Sequence, residues 1–166
     1  MMTTILLILK DAFFAGIAGI GFGSISNVPY KAFPYCALIA GIGHALRWYL
    51  INRLSVNIIW ASLAAGFTIG ALSVVAGVLI KQPAESLSFP SLLPMIPGMY
   101  AYKTVLNLVK CISVGSEETF SHYFYLMSDN LLTAVLIISM LAIGALIPIL
   151  MFPRLTFRAT RNITRY

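Results

Sequence analysis

Long apolar runs cut by short polar breaks dominate the chain. Five such runs stand out, at roughly 4–27, 34–51, 56–80, 92–110 and 124–152, with breaks at Asn27-Val28-Pro29, Asn52-Arg53, Lys81-Gln82-Pro83 and Gly115 to Glu118. A membrane-crossing helix needs about 20 mostly apolar residues, so the pattern predicts an all-α integral membrane protein. About five transmembrane helices are expected, in one domain over 1–153 and with no soluble domain. Lipid accepts only helices or closed barrels, and these runs are too continuous for the alternation of a barrel strand. Re-entrant placement of 34–51 would leave four crossings and strand Lys31, Arg47 and Arg53 together on the outer side. The N-terminal stretch lacks a basic start and a small-residue cleavage site, and is expected to stay on as the first helix.

Composition agrees with lipid as the solvent. Of the 166 residues 60% are hydrophobic and only 10% charged, and mean hydropathy is +0.92, which would leave a soluble fold of this length with too much uncovered apolar surface. The net charge of +6 would point to nucleic acid in a soluble protein. Here Arg154, Arg158, Arg161 and Arg165 crowd the last thirteen positions, which reads first as an orientation signal. Residues 154–166 are accordingly expected to form a basic cytoplasmic tail that meets anionic lipids through one helical face, and no nucleic-acid partner is expected. Counting back through five crossings puts the Lys81 and Lys31 loops inside, and the N-terminus and the Glu117-Glu118 loop outside. Asn162-Ile163-Thr164 matches a glycosylation sequon that a cytoplasmic tail would not expose to the enzyme. Cys36 and Cys111 lie in apolar surroundings and read as packing residues rather than a disulfide.

Small residues recur at helical spacing at Gly19 and Gly23, and again at Ser62, Gly66 and Gly70. In lipid such rows let backbones approach closely, and they mark either packing faces within the bundle or a subunit interface or moving seam. The glycines from Gly16 to Gly23 follow no strand and lack nucleotide-fingerprint spacing.

The chemistry concentrates in Phe89 to Lys103, where Pro90, Pro94, Pro97 and Gly98 interrupt an otherwise spanning stretch. Each proline removes a backbone donor and clashes with the preceding turn. The fourth segment is therefore expected to be broken near 94–98, with a half-helix starting at Pro97 or Gly98, where proline suits a first turn. A kinked structural helix is the plainer alternative. Broken helices at membrane depth line protein or polar cavities, and in transporters their N-termini face anionic substrate groups. Lys103 adds a cation to the same half-helix, and Tyr102 and Asn107 complete the candidate substrate-binding positions on it.

His44 and Arg47 share a face of the second segment. An arginine at the bilayer centre costs about 2.5–3.5 kcal/mol, so it faces a cavity or partner unless it snorkels beside interfacial Trp48 and Tyr49. His44 sits deeper among glycines and could exchange a proton or simply pack. Lys10 and Asp11 either pair with other helices or precede the first crossing, the second being simpler. Asn27, Asp129 and Asn130 could line a path or cap helices; Asp129 is read as capping the start of the last segment. Enzyme signatures are scarce, Glu118 and His122 alone make a poor metal site, and neither cofactor nor metal is expected.

With these residues in view, the chain resembles the short-subunit type of the threonine/serine exporter family, equivalent to the C-terminal membrane half of the full-length exporters. The resemblance is carried by FGSISNVP (Phe22 to Pro29), CALIAGIGHALR (Cys36 to Arg47), PMIPGMYAY (Pro94 to Tyr102) and NLLTAVLIISMLAIGALIP (Asn130 to Pro148), in that order and spacing. It implies ion-gradient-driven export, across a bacterial inner membrane, of small carboxylate-bearing metabolites: threonine or serine, or a dicarboxylate such as succinate. It also implies a longer partner subunit, and the short helices suggest a homo- or hetero-oligomer. The alternative is a non-transporting scaffold that stabilises that longer subunit.

Overall fold

The computed structural model describes residues 2–113 and 115–153, so the basic tail and its expected lipid contact lie outside the described residues. Those residues form six α-helices and two 3-10 turns, with no strand among them. The helices are α1 (Met2–Ile25), α2 (Phe33–Leu54), α3 (Ile58–Ile80), α4 (Ala84–Leu92), α5 (Gly98–Ser113) and α6 (Glu117–Met151). The 3-10 turns are Tyr30–Ala32 before α2 and Leu93–Met95 after α4. Three helices, α1, α3 and α6, are long and apolar enough to cross a membrane.

Local chemistry sets the helix ends. After α1 the amides of Ser26 and Val28 return to the carbonyls of Phe22 and Gly23. Asn27 between them takes the left-handed conformation (φ 54°) that ends a helix and that asparagine tolerates better than most residues. Pro34 stands in the first turn of α2, where its missing N–H is not needed. Asn57 caps α3 by accepting from the Ile59 amide at 2.9 Å. At the other end, left-handed Lys81 (φ 56°) returns its amide to Gly77.

Three findings correct or add to the expectations. The stretch after Pro83 holds a helix, α4, whose Ser91 hydroxyl donates to the Leu87 carbonyl at 2.7 Å. The last helix begins at Glu117 rather than near 124, because nothing between Thr119 and Leu131 breaks helical geometry. Asp129 therefore lies in the interior of α6 and does not cap its start, and Glu117 and Glu118 form its first turn rather than a loop. Lys10 and Asp11 lie inside α1, and Asp11 falls within its apolar window, Ile5–Ile25.

The described residues divide into two compact units, one drawn from 2–95 and 140–153, the other from 96–139. In the first unit α1 packs along α2, which in turn packs on α3 and α4. Ile69, Leu87 and Met95 are fully buried there, and Val74, Ala84 and Ile149 form a further cluster. Small residues set the helix approach. A methyl group added at Gly66 would come within 2.5 Å of the Leu141 carbonyl oxygen, and Gly70 and Gly144 face Ala145 and Leu63 more closely still. Only a hydrogen in place of a side chain allows α3 and the end of α6 to touch backbone to backbone. Meanwhile Leu6, Phe13, Trp60, Phe67, Leu79 and Leu150 stand exposed, as side chains facing lipid do.

In the second unit α5 and the first part of α6 form a helical hairpin. Lys110 Nζ sits 5.2 Å from the centre of the Tyr123 ring, and Cys111 Sγ lies 3.9 Å from the Phe120 carbonyl. Both cysteines are free and buried.

Candidate functional site

In the first unit, three polar side chains meet in surroundings where polar groups are scarce. Asp11 lies about 9 Å into the apolar span of α1, at 1.5 Å rise per residue. His44 reaches it from α2, with Nδ1 2.6 Å from Asp11 Oδ2 and both side chains only partly exposed, at 20% and 32%. With Asp11 ionised, Nδ1 is the donor. Arg47, one turn further along α2, is partly buried and donates through a terminal nitrogen to the Met95 carbonyl at 2.9 Å. Glycine makes this meeting possible: Gly41 carries no side chain where α2 passes the Ala12 carbonyl, and Gly43 leaves room for Ile69 and Met95.

The Met95 carbonyl is an acceptor freed by the chain itself. After Leu92 the backbone passes through the 3-10 turn Leu93–Met95, which contains Pro94, and α-helical geometry resumes only at Gly98. Met95 is fully buried. An unpaired buried carbonyl costs about 1–3 kcal/mol, and a charged donor is the strongest remedy available. Arg47 thus ties α2 to the turn.

Most of the remaining candidates fall in the second unit. Gly98 opens α5 with no atom within 4 Å of where a Cβ would stand. Several amides there are already engaged: Gly98 donates to Ile96, and Tyr100 and Ala101 both donate to Pro97. Lys103 and Asn107 share a face of α5 at i, i+4 spacing, Lys103 exposed and Asn107 buried, whereas exposed Tyr102 points about 100° away around the helix. On α6, exposed Asp129 adjoins buried Asn130, whose amide donates to the Leu126 carbonyl at 2.6 Å. Asn27, in the first unit, lines an open polar pocket of about 520 Å³ with Ser26, Gln82, Glu85 and Ser86. No cluster of metal ligands occurs among the described residues.

Sequence reasoning favoured placing Asp11 ahead of the first crossing over pairing it with another helix, and so missed its contact with His44. The available signal was that an acid inside an apolar helix requires a partner, and His44 was the polar residue most deeply set in the neighbouring segment.

Comparison with known proteins agrees with the helical, lipid-facing character of the chain. The threonine/serine exporter ThrE family matches residues 11–151. An uncharacterized protein of Haemophilus influenzae is 31% identical over 149 residues, covering 90% of this chain but 49% of its own length, so the chain spans about half of that relative. No solved structure matches. A match running from Asp11 to Met151 takes in α1 from Asp11 onward and every later helix among the described residues, and the chain belongs to the threonine/serine exporter family, a family of membrane transporters rather than of enzymes.

Proposed function

We propose that this chain is the membrane subunit of a secondary transporter that exports small carboxylate-bearing metabolites, threonine and serine or a dicarboxylate such as succinate. The observation that carries the reading is the family match over residues 11–151. The interruption between Leu92 and Gly98 supports it, since such breaks in transporters coincide with binding sites near the bilayer midplane. In this reading the candidate binding residues are His44, Arg47 and Pro94 in the first unit and, separately, Pro97, Gly98, Tyr102, Lys103 and Asn107 in the second, with Arg47 acting through the Met95 turn. The helices cross a bacterial inner membrane about five times, the fourth crossing being the interrupted one, and the arginine-rich tail stays in the cytoplasm.

The half-length match favours a longer partner subunit that supplies what the remainder of the Haemophilus influenzae protein supplies there. The same observation keeps the scaffold reading in play, in which the partner alone carries substrate. Export of labelled threonine, serine and succinate from cells carrying Gly98→Leu, Lys103→Ala or Arg47→Ala separates the two. Loss of flux at equal expression is expected; wild-type flux in all three variants sinks the site, and flux that needs only the partner's residues favours the scaffold.

A further inference from the structure

We propose that Asp11 and His44 together form a proton-binding site whose occupancy is felt at the Met95 turn through Arg47. The carboxylate and imidazole lie 2.6 Å apart, both side chains are partly exposed, and a cation one helical turn away already holds the turn's freed carbonyl. Ionisable groups at membrane depth are expensive to keep, and carboxylates and imidazoles are the side chains from which proton relays in pumps and transporters are built.

The step is a simple one. Asp11 Oδ2 accepts the Nδ1 hydrogen, leaving Nε2 as the atom that gains or loses the second proton; no other bond forms or breaks. With the proton bound, the imidazolium balances the Asp11 carboxylate and Arg47 is left to the Met95 carbonyl. With the proton gone, Asp11 has only Arg47 among these three residues to balance it, and the guanidinium is drawn from the carbonyl toward the carboxylate. The charge of the trio changes by one, and the competing acceptors of Arg47 sit on α1 and on the turn after α4.

Few other titratable groups face the pair. On α1, Lys10 adjoins Asp11 but is exposed. On α2, Tyr35 and Cys36 lie at the far start of the helix, with Tyr49 and Arg53 beyond Arg47. The turn Tyr30–Ala32 brings Tyr30 and Lys31, α3 brings no titratable side chain, and the turn Leu93–Met95 brings only its carbonyl. Glu85 of α4 lines the pocket with Asn27, beyond the end of α1, which itself lies about 21 Å along the axis from Asp11. A metal cation is a poor rival for the site, because it would find one carboxylate, already paired, beside a guanidinium instead of a cage of oxygens.

Two measurements test this, the second resting on the transport reading above. In the first, infrared difference spectra of the purified full chain in nanodiscs are recorded between about pH 5 and 8. Imidazole and carboxyl bands that titrate together are expected, and both should change in Asp11→Asn; a spectrum unaltered by that substitution overturns the proposal whether or not the chain transports. In the second, everted vesicles from cells expressing the chain with the host's own partner are given labelled threonine, serine or succinate. Wild type is expected to move protons with the substrate. Asp11→Asn is expected to lose accumulation driven by a pH gradient while keeping labelled-substrate counterflow, and Asp11→Glu to restore coupling. Gradient-driven accumulation that persists in Asp11→Asn, or sodium replacing the pH gradient as the driver, overturns it. Absence of any substrate movement in wild type counts against the transport reading, and the infrared result then decides proton binding alone.

Discussion

Two seams in the first unit are built from the same residue type and differ in what else they contain. Where α3 meets the end of α6, Gly66, Gly70 and Gly144 sit against the carbonyls of Leu141, Ala145 and Leu63, and α3 carries no charged side chain. Where α1 meets α2, Gly16, Gly19 and Gly41 meet Ala37, Ala40, Cys36 and Ala12 at looser distances of 2.9–3.2 Å. That seam encloses the Asp11–His44 pair and borders an open apolar groove of about 570 Å³. Glycine therefore serves two ends: in one seam it locks backbones together, in the other it makes space for polar groups that lipid would not tolerate.

The contrast breaks most directly at glycine. Gly70→Ala and Gly144→Ala force a methyl group into backbone that cannot step aside, and each is expected to cost about 3 kcal/mol, the upper range for overpacking. Gly19→Ala meets the Ala40 methyl and the Cys36 carbonyl at 2.9 and 3.0 Å, and is expected to cost about 1 kcal/mol. Unfolding of the purified chain in detergent measures all three. Equal losses at Gly19 and Gly70 would erase the distinction between the seams.

The next largest effect tests whether the looser seam is held by polar contacts. Arg47→Leu leaves the buried Met95 carbonyl without its donor and is expected to cost about 1–3 kcal/mol. Arg47→Lys keeps one donor but not the planar fork, and should recover part of the loss. Stability unchanged in Arg47→Leu would mean that the turn holds itself.

A smaller effect sharpens the same point. In a double-mutant cycle of Asp11→Asn and His44→Gln, the coupling energy is expected near 0.6 kcal/mol and no more than about 1.7, the range measured for polar pairs between membrane helices. Additive losses would mean that the 2.6 Å contact contributes nothing to holding α1 on α2.

How much of this was legible in the sequence follows from where the physics is local. The all-helical class was readable, because lipid leaves an apolar run few alternatives. So was the tight approach at Gly66 and Gly70, since small residues at i, i+4 define a face before any partner is known. The identity of the partner, α6 rather than a neighbour in sequence, was not. The helix at 84–92 was hidden by prolines on either side and at Pro90 within it, all of which read as breakers although Pro83 serves as its N-cap. The polar stretch before Asp129 reads as a helix start, but helical hydrogen bonding carries on regardless of which side chains point outward, so Asp129 lies inside α6. Asp11 was passed over for the opposite reason: the residue was visible, but its partner lies 33 positions away and periodicity carries no signal at that distance.

Gly98→Ala completes the series with the smallest expected change, since Gly98 belongs to neither seam. It opens α5 without a positive φ and with empty space where a methyl group would go. Alanine there should be neutral or stabilising by about 0.5 kcal/mol, through a less flexible unfolded chain and better helix propensity. Because stability is expected to hold, flux in this variant reports on the space itself. If threonine, serine or succinate export falls in Gly98→Ala while unfolding is unchanged, the room beside Gly98 is used by something that passes. If export also holds, and only Gly98→Leu impairs it, the space is slack and the carboxylate site must be sought away from the first turn of α5.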